Sequence, residues 1–380
     1  MNIGIDIRPL MSPLRTGVGE YTFELVNAVF ELDKTNQYFL FYNSRQDVEK
    51  YLPGWSADNI RHIHTAWPNK VFNSSIKLFG RPKLDQLIGQ PLDWFYSPNI
   101  NFTSLSPKTR HLITIHDLSF EFFPEFFTRK RQWWHKIINP KKQCRQAEKI
   151  IAPSENTKRD LIDKYDLPAE KIFVLYPGIS PAFLNTQKEN LEKEKELIRK
   201  KYFLPERFIL FLGTIEPRKN IHGLIEAFEK IYPALPVPHS LIIAGAKGWK
   251  NHNLFQRAAG APYKDRIKFI GYINPSDKPA LYAAASLFVY PSFYEGFGFP
   301  VLEAMAMGVP VVTSNRSSLS EIAGSAATLI NPNQISGLAK TIKNLLTDHP
   351  QRERQIKNGR ELAVKFSWKK TAREWLQLLS

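Results

Sequence analysis

The chain has 380 residues, 43% of them hydrophobic and 23% charged. That is a globular composition, long enough for two domains with a core each, and no apolar run approaches the roughly 20 residues that a membrane helix needs. The opening MNIGIDIRPL lacks the basic-then-apolar pattern of a secretory signal, and the single cysteine, Cys144, excludes an internal disulfide and any cysteine-cluster metal site, so a reducing, cytoplasmic setting is expected. A net charge of +16 calls for an anionic partner, which charge alone leaves open between a nucleotide diphosphate, an acidic membrane surface and a nucleic acid.

In chain order, Asn2–Ile7 reads as a strand, Gly17-Val18-Gly19 as a glycine turn, and Phe23, Val26, Val29 and Phe30 as the inner face of a helix. A bare Gly-x-Gly is either a phosphate contact or an ordinary turn, because the third glycine of the dinucleotide fingerprint is missing. Strand-like runs follow at 38–42, 60–64, 94–96 and 111–115, a repeated α/β pattern. The last of them delivers His116-Asp117 to the carboxyl edge of a sheet, where the histidine can offer a hydrogen bond to a ligand or where Asp117 simply caps the next turn.

Between Phe120 and Lys149 aromatics crowd among bases: Phe122, Phe123, Phe126, Phe127, Trp133 and Trp134, with eight Lys or Arg from Arg129 to Lys149 against one acid, Glu148. This is either an interfacial element for anionic lipid or a solvated basic face over an aromatic core strip. Residues 67–83 have the same character, more weakly. Lys149–Pro153 and Phe173–Tyr176 complete the strands of the first half, Pro177-Gly178 begins the connection, and the charged run Gln187–Lys201 reads as a solvated helix near the boundary.

The second half starts with the strand Phe208–Gly213. Thr214–Asn220 then leads into a helix with Ile221, Leu224, Ile225 and Phe228 inward, which places Arg218 and Lys219 at a helix N-terminus where free N–H groups already favour an anion. Further strands are expected at Ser240–Gly245, Ile267–Gly271 and Leu287–Tyr290, and Gly271-Tyr272-Ile273 is a loop that is either a simple turn or a contact for a nucleotide base. The final helix, Trp368–Leu379, aligns Trp368, Ala372, Trp375 and Leu378 on one stripe.

The most informative stretch is YPSFYEGFGFPVLEAMAMGVP, Tyr290–Pro310. It reads as a buried strand, a loop freed by Gly296 and Gly298, a short apolar helix opened by Pro300 and stopped by Gly308, and a second strand at Val311. Glu295 on the loop and Glu303 in the helix are acids that local structure alone could explain, since acids favour helix starts. Together, Glu295-Gly-Phe-Gly-Phe-Pro-Val-Leu-Glu303 resembles the E-x7-E signature of retaining nucleotide-sugar glycosyltransferases of family 4.

That resemblance covers the whole chain, the second half more specifically. It implies the GT-B fold: two Rossmann-like doubly wound parallel-sheet domains facing across a cleft, with residues 1–178 as acceptor domain, 179–365 as donor domain and 366–380 as a helix packing back on the first. It implies His116 and Glu295 as catalytic residues at the transferred sugar, Glu303 on the ribose, and Arg218 and Lys219 on the pyrophosphate. Gly19, Gly271, Ile273, Gly296, Phe297 and Gly298 complete the donor contacts it implies. The chain departs from the family at Thr214, where an arginine is usual, and at Ser317-Ser318-Leu319-Ser320-Glu321, where two glycines and a proline are common. No Asp-x-Asp pair occurs, so no metal and no cofactor are expected.

The activity implied is transfer of a hexose, mannose from GDP-mannose in particular, with front-face attack on a polyprenyl-linked or other glycan acceptor in lipopolysaccharide or exopolysaccharide synthesis. A nucleotide sugar and an anionic membrane surface are the expected partners, with no nucleic acid and no obligate protein partner. The competing readings are a GT-B epimerase or hydrolase of nucleotide sugars and a basic nucleic-acid-binding protein, the latter without a recognition module in the sequence.

Overall fold

The computed structural model describes residues 1–15, 17–184 and 188–380. Thr16, and Gln187 at the start of the charged run, lie outside the described residues; Gly17–Gly19, expected as a glycine turn, instead open the helix Gly17–Leu32. Two compact units emerge: Met1–Leu118 with Arg129–Gly178 and Ser367–Ser380, and Ser119–Thr128 with Ile179–Phe366. The segment 119–128 therefore belongs with the second unit, although in sequence it lies inside the first half. Its aromatic rings explain this: Phe122 and Phe123 pack on Tyr294, Phe126 on Phe293 and Phe127 on Trp249.

Among the described residues the first unit holds seven parallel strands, β1 (Asn2–Asp6), β2 (Gln37–Asn43), β3 (Ile60–Thr65), β4 (Trp94–Ser97), β5 (Arg110–Thr114), β6 (Lys149–Ala152) and β7 (Ile172–Val174), in the order β3-β2-β1-β4-β5-β6-β7. Continuous apolar runs such as QYFLFYN in β2 suit a parallel sheet that helices cover on both faces. The chain's last helix, Trp368–Leu379, packs on the helix Gly17–Leu32 of this unit. Trp375 sets its ring edge against Tyr96, and the Trp94 indole donates to the Leu379 carbonyl at 2.8 Å. Fully burying an aromatic such as Trp375 is worth about 3 kcal/mol, so the terminal stripe is an anchor rather than a tail.

The second unit holds six parallel strands, β8 (Phe208–Leu212), β9 (Ser240–Ala244), β10 (Ile267–Gly271), β11 (Leu287–Tyr290), β12 (Val311–Ser314) and β13 (Thr328–Ile330), in the order β10-β9-β8-β11-β12-β13. Sequence reasoning missed β13, whose three residues are too few for any periodicity to show. In both sheets the strand order reverses beside the first strand, between β1 and β4 and between β8 and β11. Such a reversal parts the two flanking crossovers and opens a crevice at the carboxyl edge, where open α/β sheets bind ligands.

Candidate active site

At the carboxyl edge of the second sheet three successive strands end on glycines. The Gly213 amide, just after β8, donates to the Ala244 carbonyl of β9 at 3.0 Å, and the Gly245 amide donates to the Gly271 carbonyl of β10 at 2.7 Å. Gly245 has φ +138°, and a Cβ there would stand 1.9 Å from the Gly213 oxygen. No side chain fits between these backbones, so the rim stays bare and low. Gly271, with φ +76°, closes β10, whereas Ile273 is buried and can offer a ligand only its backbone.

Beyond this rim, in the crevice between β8 and β11, lie four charged side chains. Glu295, on the loop after β11, is 7% exposed. Lys219 Nζ donates to its Oε1 at 2.6 Å and Arg218 Nη1 to its Oε2 at 2.9 Å. The Arg218 guanidinium also donates from Nε and Nη2 to Glu216 Oε1, at 3.0 and 2.7 Å, and from Nη1 to the Tyr294 carbonyl. Lys219 Nζ has a further partner in the Tyr290 hydroxyl at 2.7 Å, at the end of β11. The cluster thus pairs two acids with two bases, all but out of water.

Arg218 and Lys219 do not occupy the first turn of the long helix. Pro217–Lys219 form a separate 3-10 turn, and Asn220, at φ 55°, breaks the chain before the helix Ile221–Ile231. This bend turns both bases away from solvent and into the crevice, which a solvated basic pair would not require. Burial alone would push the Glu295 carboxyl up, but the charges of Arg218 and Lys219 outweigh it and hold the group at about 2. Burial and the adjacent guanidinium pull the Lys219 ammonium below its ordinary value, and burial, followed by the Glu295 charge, pushes the Tyr290 hydroxyl up.

The loop that presents Glu295 is fixed from the side by Ser317 and Ser318. The Glu295 amide donates to Ser317 Oγ at 2.8 Å, and Ser318 Oγ donates towards the carbonyls of Glu295 and Phe297, 2.9 Å from each. Ser317 keeps φ 50°, a conformation that favours glycine. Gly298 has φ +111°, and a Cβ there would meet Leu319 at 2.7 Å. Gly296 is buried, and the Phe297 ring packs edge-on against Phe299 and Phe366, so this residue anchors the loop and leaves only its backbone for a ligand.

Glu303 projects from the helix Phe299–Ala306 and is 8% exposed. The buried Tyr282 hydroxyl donates to its Oε2 at 2.7 Å, and Lys278 Nζ lies 3.4 Å from Oε1. Both partners come from the helix Lys278–Ala284. Glu303 is therefore an oriented carboxylate with acceptor capacity to spare, of the kind that takes hydroxyl donors.

In the first unit, His116 follows β5 near the reversal of that sheet. Its Nε2 lies 2.8 Å from the Pro98 carbonyl, and the ring stands edge-on to Tyr21 at 4.7 Å between centroids. A carbonyl can only accept, so the proton is on Nε2 and Nδ1 carries the lone pair. Burial lowers the imidazole's proton affinity and keeps it neutral. Gly19 is buried in the first turn of its helix, where a Cβ would lie 3.4 Å from the Pro9 carbonyl oxygen.

Sequence reasoning missed Glu216, Tyr290, Tyr282 and the two serines. The run Glu216-Pro-Arg-Lys219 carried a signal for the first, since an acid two residues before a buried arginine is its nearest counter-charge. Among the described residues no three His, Cys, Asp or Glu side chains are grouped to hold a metal ion, and no helix is long and apolar enough to cross a membrane.

Comparison with known proteins bears on the family and the fold. Residues 15–183 match the model of Glycosyltransferase Family 4, and residues 193–362 match that of Glycosyl transferases group 1. An O-antigen chain mannosyltransferase B from Escherichia coli is 30% identical over 375 residues, covering 97% of this chain and 96% of the relative. Among solved structures, Alr3699/HepE from Anabaena in complex with UDP and glucose shares 20% identity at a TM-score of 0.72, covering 100% of this chain and 99% of that one. A sucrose-phosphate synthase from Thermosynechococcus elongatus also shares 20% identity, at a TM-score of 0.75, covering 100% and 98%. With both halves matched by these models and its length matched by a member, the chain belongs to the family 4 glycosyltransferases and is a hexosyltransferase of GT-B fold.

Proposed function

We propose that this enzyme transfers mannose from GDP-mannose, with retention at the anomeric carbon, to a polyprenyl-linked or other glycan acceptor in O-antigen or related cell-envelope polysaccharide synthesis. The observation that carries the reading is the cluster at the sheet reversal: a buried carboxylate, Glu295, held between Arg218 and Lys219 beside a bare glycine rim. The end-to-end likeness to an O-antigen mannosyltransferase supports the choice of sugar. In this reading Arg218 and Lys219 take the donor's pyrophosphate, Glu303 the ribose hydroxyls, and Glu295 the sugar near its reacting carbon. Gly271, Gly296 and Gly298 let the donor approach the backbone, with Ile273 and Phe297 as main-chain contacts; within the first unit, Gly19 and His116 Nδ1 are the candidate ligand contacts.

The acceptor oxygen forms the new bond to the anomeric carbon on the face from which the phosphate departs. The bond from that carbon to the phosphate oxygen breaks, and the acceptor proton passes to the departing phosphate. The protein contributes position, and Arg218 and Lys219 offer positive charge to the leaving group once Glu295 turns from them to the sugar.

The test is a panel of nucleotide sugars with lipid-linked acceptors, with product configuration read by NMR. GDP-mannose should be consumed with acceptor present, give an α-linked product and remain active in EDTA, and Glu295→Ala should abolish transfer with the fold intact. Consumption of donor without acceptor would favour an epimerase or hydrolase instead. Glu295→Ala turning over like the parent would sink the role assigned to that residue. We further infer a cytoplasmic, peripheral location on the inner face of the plasma membrane, where such acceptors are built.

A further inference from the structure

The helix Asn69–Phe79 is apolar on two faces. Phe72 and Ile76 point inward, into a cluster with Phe41, Leu84 and Phe95. Val71, Leu78 and Phe79 point outward, with 53, 72 and 75% of their surfaces exposed, and Trp67 just before the helix is 40% exposed. An amphipathic helix of a soluble domain needs only the first of these faces. The second is an apolar patch of the sort that marks an interaction site.

The helix Arg129–Ile138 extends this patch. Trp133 is 67% and Trp134 37% exposed, and Lys77 Nζ donates to the Ile137 carbonyl at 2.6 Å, which ties the end of one helix to the end of the other. Residues 67–83 and 129–147 contain no Asp or Glu. Lys70, Lys77, Arg81, Arg129, Lys130 and Lys136 are all exposed there. By contrast, the aromatics at 122–127 are absorbed into the second unit, so the stretch 120–149 is not one interfacial element, as its composition alone allowed.

We propose that these two helices form one surface that docks on an anionic lipid bilayer. Leu78, Phe79 and Trp133 enter the headgroup region, and the surrounding bases lie at the level of the lipid phosphates. Two features choose this partner. A protein interface depletes charge at its core and answers bases with acids, whereas this surface needs apolar matter beneath a continuous anionic layer. Nucleic acid would answer the bases but not exposed Val71 and Leu78, which cannot stack on its bases. The surface deepens the lipid-linked acceptor proposed above, and it can stand or fall separately from the choice of sugar.

The experiment is co-sedimentation of the full chain with vesicles of phosphatidylcholine alone or with about 30% phosphatidylglycerol, an anionic load like that of a cytoplasmic leaflet. The parent should pellet with the anionic vesicles and stay in solution with the neutral ones. Leu78→Glu/Phe79→Glu should bind at least about tenfold more weakly, and Lys70→Gln and Arg81→Gln about fivefold each. Trp133→Ser, on the other helix, should weaken binding as well. All these positions are exposed, so melting curves should superpose on that of the parent, and transfer to a water-soluble acceptor should be unchanged in the Leu78/Phe79 variant even if the sugar assignment needs revision. A parent that ignores anionic vesicles would overturn the proposal. So would a Leu78/Phe79 variant that binds as tightly as the parent, or a parent whose patch proves to hold a second copy by sedimentation equilibrium.

Discussion

Replacing Lys219 by Met tests whether the buried cluster works as a unit. The two acids and two bases sum to no net charge, so losing one ammonium leaves a net negative charge with almost no water to share it. Removing one partner of a buried pair costs about 3–5 kcal/mol, far more than an exposed pair would. A second route gives a similar size: Glu295 is held at about 2 instead of 4.5, which at about 1.4 kcal/mol per tenfold change in proton affinity is worth about 3 kcal/mol. The folded value is the lower one. That stability is therefore present in full above pH 4.5 and is lost as pH falls from about 4.5 towards 2. In Lys219→Met the loss should be smaller and complete at a higher pH, because only Arg218 still opposes the burial of the carboxylate.

The double variant Lys219→Met/Glu295→Gln removes the stranded charge and should recover about 2 kcal/mol of the loss. Urea unfolding of parent, single and double variants, with hydrogen exchange of the β8 and β11 amides to localise the effect, measures each corner of this cycle. Additivity within about 0.5 kcal/mol would refute the reasoning, since it would mean that Lys219 and Glu295 do not sense each other.

Glu303→Gln keeps an acceptor for the Tyr282 hydroxyl but gives up the negative charge, so the KM for the donor should rise about tenfold or more with kcat changed less, as steady-state kinetics over donor concentration will show. His116→Ala should lower kcat/KM by about 10–100-fold through loss of one hydrogen bond. Because burial lowers the parent imidazole's proton affinity, any step in the pH profile that vanishes in that variant should lie below the ordinary histidine value. Gly245→Ala forces a side chain onto the Gly213 carbonyl in a backbone conformation hostile to it, and should destabilise the second unit by about 3 kcal/mol or more, read as a lower urea midpoint for that unit alone.

Most of the fold was legible because its strands are continuous apolar runs between glycines and prolines, and parallel sheets write themselves into sequence that way. β13 was not, being a three-residue strand recruited by its neighbour. The destination of 119–128 was not legible either: its phenylalanines read equally well as a membrane anchor or a core strip, and only the positions of Phe293, Tyr294 and Trp249 decide between them. At the candidate site, Glu295, Glu303, Arg218 and Lys219 could be nominated from local pattern and resemblance. Their mutual arrangement could not, since the turn at Asn220 that swings the two bases inward depends on one residue's left-handed backbone. Ser317 and Ser318 looked like losses relative to glycine, and proved to be the hydrogen-bonding partners of the Glu295 loop.

The four-charge cluster has a consequence for any anion that arrives there. Arg218 and Lys219 already hold a counterion in Glu295, so on the proposed reading loading the site would be ion exchange rather than simple capture. The newcomer must offer more than one carboxylate does, and a diphosphate does so through its higher charge and larger number of oxygens. Its affinity is then the difference between two anions' hold on the same pair of cations. On the proposed reading, the carboxylate can return to its counterions when the spent nucleotide leaves, which offsets part of the cost of its release.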